Sequence, residues 1–376
     1  MHKSTDPHII IAGGGTGGHV IPALALADAI RTQYPSIKVT FIGAKRGLEA
    51  KLMPERGEEI LLLPMHSIQG ASVWQKIRVL AWELPHAIWT IRNHWKEKPA
   101  LMIGVGGYAS VTGILAAITR GVPILLYEQN GYPGLVNRTL SRFCQGVLLG
   151  FSEAKHHLPP SANCVVTGNI IRKELLTLYP QRITHHPLRI LITGGSQGAR
   201  IFNETVPKAC AQLKAQGTLF TVTHITGKQE GALESVAQAY HHAGVEAEVL
   251  PFCTNMAAFY ASGDILIARS GAMTLCEAAA VGIATIFVPL PHAADDHQTF
   301  NAKTLSDHQA AILLPQYQFT HARLAEILTQ LLHEHDHRLA MGACAYSLAP
   351  LDAKEKQLQA IAHYISTTSS SLDPSL

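Results

Sequence analysis

The sequence predicts an α/β protein of two halves, each a parallel sheet covered by helices on both faces. Residues 8–24, HIIIAGGGTGGHVIPAL, set three isoleucines before Gly13-Gly14-Gly15-Thr16-Gly17-Gly18 and a run of helix formers after them. An unbroken apolar strand suits a parallel sheet buried on both faces. A glycine turn feeding a helix aims unpaired N–H groups and the positive end of the helix dipole at one point, which suits a phosphate. Residues 188–200, LRILITGGSQGAR, repeat that order, and Gly194 follows Gly13 by 181 residues, so each half opens on its own copy. Residues 100–117, ALMIGVGGYASVTGILAA, supply a third instance through Gly104, Gly106 and Gly107. Two such halves turned toward a shared cleft predict a phosphorylated ligand at their junction.

The elements follow in order. Pro22 predicts a helix that begins close to it, because proline is tolerated in a first turn, and residues 23–30 continue as helix formers. Strands are expected at 38–43 and 59–64 with a helix over 47–56 between them. Residues 121–130, GVPILLYEQN, give a buried strand ending in Tyr127-Glu128-Gln129-Asn130, and 146–150 and 164–168 the last strands of the first half. Residues 172–187 lack a pattern and read as the crossing between halves. The second half alternates strands at 188–193, 220–226, 247–251, 264–268 and 285–289 with helices over 202–216 and 231–242. The strand at 285–289 is expected to close its sheet. Helical patterns at 323–333 and 352–365 precede a serine-rich tail, 367–376, expected to fray.

Composition narrows the class. With 376 residues, 47% of them apolar and 15% charged, the chain can bury two cores. A net charge of +3 is too small to imply nucleic acid as a partner. Six cysteines, none in a C-x-x-C pair, point to reduced thiols and not to a disulfide or zinc framework. No run of apolar residues is long enough to span a bilayer. All four tryptophans, however, fall between Val73 and Trp95, interleaved with Lys76, Arg78, Arg92, Lys96 and Lys98. Val73, Ile77, Leu80, Leu84 and Ile88 keep near-helical spacing beside them. Such a segment can lie in a lipid interface through Trp74, Trp82 and Trp89, or can pack on the sheet as an ordinary amphipathic helix.

Several residues could carry chemistry. Residues 269–280, RSGAMTLCEAAA, open a helix after a strand, with Glu277 near its start. A carboxylate there can accept both hydroxyls of a ribose, or it can close a capping box with Thr274. Residues 289–303, PLPHAADDHQTFNAK, bring Asp295, Asp296, His297, Gln298 and Asn301 past a strand end. Adjacent side chains diverge and the chain holds no D-x-D, so metal is not expected; Gln298 and Asn301 suit sugar hydroxyls. His333 and His337 are expected on one face of a solvated helix, away from the glycine turns. His19, where the first turn meets its helix, and Glu128, at the carboxyl end of a strand, are rival candidates for a general base.

In order and spacing, GGGTGGHVIPALALA, GVGGYASVTG, YEQN-GYPGLVNR, GNIIR, GGSQGAR, RSGAMTLCEAAAVG and DHQTFNA resemble the MurG family of bacterial peptidoglycan N-acetylglucosaminyltransferases across nearly the whole chain. The resemblance implies a GT-B fold, two Rossmann-like domains facing a cleft, with boundaries at 1–172 and 173–349, a last helix over 350–366 returning to the first domain, and a flexible 367–376. It implies inverting transfer of N-acetylglucosamine from UDP-GlcNAc to the C4 hydroxyl of the muramyl sugar of lipid I, without a cofactor or metal. Donor contacts are then expected from Thr16, Gly17, Gly18, Asn130, Arg172, Ser196, Cys253, Gln298 and the run Ala272, Met273, Thr274, Leu275, Cys276 and Glu277. In this reading Glu277 holds the ribose. Acceptor contacts fall to Gly14, Gly15, Gly104, Gly106, Gly107 and Tyr108, with His19 or Glu128 as base. Anionic lipids of the inner membrane's cytoplasmic face, and other cell-wall synthesis and division proteins, are the implied partners. Tyr127, Ile170-Ile171 and Cys276 depart from the family pattern. A non-hydrolysing UDP-GlcNAc 2-epimerase would share the architecture and the donor. A dinucleotide-dependent dehydrogenase is disfavoured, because Phe41-Ile42-Gly43-Ala44 stands where its acidic residue would end the second strand.

Overall fold

The protein is described by a computed structural model covering residues 7–64, 72, 74, 78–180, 183–195 and 197–370. Its contacts divide the chain into two units, Met1–Ile170 with Asp352–Leu376, and Ile171–Leu351. The isoleucines form β1 (His8–Ala12), which is followed by β2 (Lys38–Ala44), β3 (Ile60–Leu63), β4 (Leu101–Gly104), β5 (Ile124–Glu128), β6 (Gly146–Leu149) and β7 (Cys164–Val166). These make one parallel sheet in the order β3-β2-β1-β4-β5-β6-β7. Ile9 and Ile11 pack with Val20, Leu24 and Ala27 of α1 (Gly17–Gln33). Ile10 and Ala12, on the opposite face, pack with Ile91 of α3 (Leu84–His94) and Ile114 of α4 (Tyr108–Thr119). Both faces of β1 are covered, which is why the strand shows no polar alternation. Two short helices, α2 (Glu49–Glu55) and α5 (Leu135–Leu140), complete the connections.

The second unit repeats the winding with β8 (Leu188–Thr193), β9 (Phe220–Ile225), β10 (Ala247–Leu250), β11 (Ile265–Ala268), β12 (Ala284–Phe287) and β13 (Ile312–Leu313), ordered β10-β9-β8-β11-β12-β13 and parallel throughout. Its helices are α6 (Arg200–Ala215), α7 (Ala232–His242), α8 (Met256–Ala261), α9 (Ala272–Ala280), α10 (His297–Ser306), α11 (His321–His333) and α12 (His335–Ser347). The last described element is α13 (Ala353–Ser370), whose Leu358 and Ile361 join the cluster around Ile9 and Ile11 of the first unit. Gln357 Nε2 donates to Gly168 O at 2.7 Å and Asn163 Nδ2 to Tyr364 Oη at 2.8 Å, fastening the helix there.

Four expectations change. The first helix begins at Gly17, so Pro22 lies inside it and Gly17 and Gly18 belong to its first turn. Proline there removes one intrahelical N–H bond, a loss tolerated where the residue packs against the core. The second sheet closes on β13, not on 285–289; a two-residue strand is too short to show alternation. Glu334 (φ −88°, ψ 83°) separates α11 from α12, so His333 and His337 stand on different helices. The last helix continues to Ser370, through the start of the expected frayed tail. Val73, Lys76 and Ile77 of the tryptophan-rich stretch, Ser196, and the tail residues 371–376 lie outside the described residues.

Within the second core, fully buried His224 is held at Nε2 by Asn203 Oδ1 (3.1 Å) and at Nδ1 by Tyr240 Oη (2.9 Å). Burial pushes its imidazole down to about 3. The unfolded chain takes up that proton near pH 6.5, so stability falls as pH drops from about 6.5 toward 3, by up to about 1.4 kcal/mol per pH unit. Chemical denaturation at pH 7.5 and 5 is expected to show this loss, and His224→Gln to flatten it.

Candidate active site

In the first unit two glycine turns meet backbone to backbone. Gly14 N donates to Gly106 O at 3.4 Å, and a Cβ on Gly107 would meet Gly14 O at 2.5 Å. Gly106 (φ +100°) lies under the imidazole of His19, where an added Cβ would stand 2.7 Å from Cε1. Gly104, at the end of β4, faces Ser110 Oγ of α4, so it serves strand–helix packing. These glycines are required by close approach as much as by any ligand.

The turn's amides are not bare. Gly13 N donates to Ile42 O at 3.0 Å, and Gly15 N donates to Glu49 Oε2 at 2.7 Å. Glu49 is fully buried, and its other oxygen accepts from Ala44 N at 2.9 Å. The sequence gives no sign of this carboxylate. It follows the end of β2 and turns back 34 residues to hold the first glycine turn. Gly14 and Gly15, expected to offer N–H groups to an acceptor diphosphate, therefore have theirs engaged within the protein. The first turns of α1, which opens on Gly17 and Gly18 behind the N-cap Thr16, and of α4 direct their N–H groups away from the helix.

The rival bases differ sharply. Glu128, 2% exposed, accepts Asn130 N (3.0 Å) and Asn130 Nδ2 (3.1 Å) on Oε1, and Gly134 N (2.9 Å) and Asn137 Nδ2 (2.8 Å) on Oε2. A carboxylate has about four lone-pair sites, and here each is filled. His19 is half-buried, bonded through Nδ1 to Gln129 Oε1 at 3.2 Å, with no partner to Nε2 among the described residues.

In the second unit α9 begins after its N-cap Gly271, so Glu277 sits too far along the helix for a capping box. Buried Glu277 instead receives Tyr260 Oη on Oε2 at 3.3 Å. Arg172 Nε stands 3.2 Å from Oε1 as an ion pair, yet that oxygen receives no hydrogen bond among the described residues. Burial raises the Glu277 carboxyl; Arg172 and the Tyr260 hydroxyl oppose that. The first turn of α9 directs the N–H groups of Ala272, Met273 and Thr274 away from the helix, and Leu275 N closes on Gly271 O at 3.0 Å. Cys276 is buried, and Ser270 Oγ is buried without a partner among the described residues.

Gln298, in α10, accepts Leu290 N on Oε1 at 2.9 Å, which leaves its amide NH2 for another acceptor. Arg269 braces the loop before it, donating to Val288 O (3.0 Å), Pro289 O (2.9 Å) and Gln316 Oε1 (2.7 Å); burial pushes its guanidinium down to about 10. Asp296 turns to Thr299 Oγ1 at 2.7 Å. Cys253 leads into α8, its Sγ on Asn255 O at 3.3 Å.

Comparison with known proteins fits this geometry. Residues 9–149 match the glycosyltransferase family 28 N-terminal domain and residues 189–363 its C-terminal domain. The chain is 40% identical over 353 residues to a protein of Magnetococcus marinus named UDP-N-acetylglucosamine–N-acetylmuramyl-(pentapeptide) pyrophosphoryl-undecaprenol N-acetylglucosamine transferase, covering 92% of this chain and 94% of that one. A protein of the same name from Aeromonas hydrophila is 41% identical over 351 residues, covering 93% and 94%. The chain belongs to the MurG family, within glycosyltransferase family 28.

The crystal structure of Acinetobacter baumannii MurG superposes with a TM-score of 0.77 at 32% identity, over 95% of this chain and 99% of that one. A putative UDP-N-acetylglucosamine 2-epimerase of Listeria monocytogenes, 15% identical with a TM-score of 0.67, shares the fold alone. The MurG-family chain therefore consists of two Rossmann-like parallel-sheet units, as the sequence motifs predict.

Three of the four tryptophans are exposed, Trp74 by 81%, Trp82 by 77% and Trp89 by 61%, while Trp95 is buried. Trp82 lies in a π-helical turn (Val79–Glu83) that runs into α3, which carries Trp89. Among the described residues no helix is long and apolar enough to cross a membrane.

Removing the buried Glu49 carboxylate leaves two backbone N–H groups unpaired, at roughly 1–3 kcal/mol each. Glu49→Ala is expected to lower the denaturation midpoint accordingly, and Glu49→Gln, which keeps one acceptor oxygen, to lower it less.

Proposed function

We propose that this protein transfers N-acetylglucosamine from UDP-GlcNAc to the C4 hydroxyl of the muramyl sugar of lipid I, giving lipid II. The observation that carries this is its similarity, at about 40% identity over more than nine-tenths of each chain, to proteins named for that transfer. The second unit holds the donor. The unbonded Oε1 of Glu277 accepts a ribose hydroxyl. The α9 N-terminus with Arg172 takes the diphosphate, the Gln298 amide donates to the sugar, and the backbone at Cys253 meets the uracil. Ser196, which lies outside the described residues, is assigned to the remaining donor contact of that unit.

The first unit holds the acceptor. Its diphosphate is assigned to the starts of α1 and α4, beside Tyr108, which moves Gly17 and Gly18 from the expected donor contacts to the acceptor. His19 rather than Glu128 takes the proton, because every acceptor position on Glu128 is filled while His19 Nε2 has no partner among the described residues. The C4 oxygen attacks the anomeric carbon as its proton passes to His19, and the bond to the UDP β-phosphate breaks with its electron pair leaving on UDP, inverting the centre. Charge developing on UDP is met by N–H groups, a helix dipole and Arg172, so the reaction proceeds without a metal ion. Trp74, Trp82 and Trp89, with nearby arginines and lysines, keep the first unit on anionic lipid at the cytoplasmic face of the inner membrane, where other cell-wall and division proteins could meet it.

Label from UDP-GlcNAc is expected to pass to a lipid I analogue with chelator present. An epimerised sugar nucleotide formed without acceptor would overturn the reading in favour of an epimerase. Glu277→Gln is expected to weaken UDP binding roughly 10- to 100-fold by titration calorimetry, the loss of one charge-assisted hydrogen bond.

A further inference from the structure

Gln129 follows directly on β5 and is 1% exposed. The two ends of its amide are engaged by different partners. Nε2 donates to Tyr127 O at 2.9 Å, and Oε1 stands 3.2 Å from His19 Nδ1. A backbone carbonyl can only accept, so the amide's NH2 must face Tyr127 and its oxygen must face the imidazole. That oxygen can only accept in turn, so the proton of neutral His19 resides on Nδ1 and the lone pair on Nε2. An unconstrained imidazole prefers the opposite form, with its proton on Nε2.

The rest of the setting holds this arrangement in place. Gln129 O accepts from Asn169 Nδ2 at 2.9 Å, and Asn169 Oδ1 accepts from Tyr127 Oη at 2.9 Å, so the strand end that carries the amide is tied down on both sides. The imidazole lies over Gly106, the one residue type that leaves room for it there.

We infer that Gln129 is a positioning residue whose amide fixes the Nδ1–H tautomer of His19 and so presents Nε2 as the proton-accepting nitrogen. The inference deepens the proposed function and rests on its assignment of His19 as the base. Holding the wrong tautomer would leave the donor nitrogen facing the acceptor hydroxyl, and the proton could not be taken.

Long-range 15N–1H correlation spectra of the uniformly labelled protein, with the His19 signals assigned by their loss in His19→Gln, read the tautomer directly. The expected result is a protonated Nδ1 and an unprotonated Nε2. In Gln129→Leu the proton is expected to shift to Nε2 and kcat to fall roughly 10- to 100-fold, with the KM for UDP-GlcNAc unchanged. Gln129→Glu, which retains an acceptor for Nδ1–H, is expected to restore the wild-type tautomer. A wild-type His19 protonated on Nε2, or an unchanged tautomer in Gln129→Leu, would overturn the inference. The wild-type spectrum needs no variant to fold. Full turnover by His19→Ala would instead defeat the base assignment alone, since the tautomer would still be read from the spectrum.

Discussion

The first unit depends on a contact between backbones. The turns after β1 and β4 approach so closely that Gly14 N–H reaches Gly106 O and Gly107 lies against Gly14 O. Side chains at these positions would force the turns apart, and Gly106 and Gly107 also take positive φ. Because the turns touch, the starts of α1 and α4 lie side by side and His19 gains a seat over Gly106. The same closeness consumes Gly14 N–H, and Glu49 takes Gly15 N–H from beneath. What the contact yields is a rigid pair of helix starts in place of a bare loop of amides.

That distinction bears on what could be read in advance. Strand–turn–helix order was legible because it is local: β1, β4, β5, β8 and β11 are apolar runs ending in glycine or polar residues, and each places its turn as expected. The partners of the turn amides were not legible. Glu49 acts across 34 residues, and nothing in the spacing of GLEAKLMPE marks its second residue after glycine as buried. The start of α1 departs from its local signal for a related reason: Pro22 marks a first turn, and burial overrides it. The capping box at Thr274–Glu277 failed similarly, since Gly271 had already begun the helix. Local grammar names the turns, and tertiary packing decides what their polar groups bind.

Glu128 and Glu277 show how that decision separates like residues. Both are buried carboxylates near the carboxyl edge of a parallel sheet. Glu128 receives donors on both oxygens from its own loop, so its acceptor positions are spent on shaping the segment through Asn137. Glu277 receives one hydroxyl and an ion pair, and keeps an oxygen without a hydrogen bond among the described residues. A buried acceptor left unfilled costs stability unless a ligand fills it, which makes an incomplete hydrogen-bond set a better mark of a binding residue than burial or charge.

The histidines extend that logic to tautomers. His224 and His19 are each governed by an amide side chain whose NH2 is engaged by a backbone carbonyl, Asn203 on Thr226 O and Gln129 on Tyr127 O. In each pair the amide oxygen therefore faces the ring and must be given a proton. Asn203 takes it from Nε2, and Tyr240 fills Nδ1, so His224 is closed on both sides and belongs to the core. Gln129 takes it from Nδ1 and, among the described residues, nothing covers Nε2, so His19 keeps one basic nitrogen directed out of its own network. The device is the same; only the coverage of the second nitrogen differs, closing one histidine into the core and leaving the other the nitrogen that the proposed base needs.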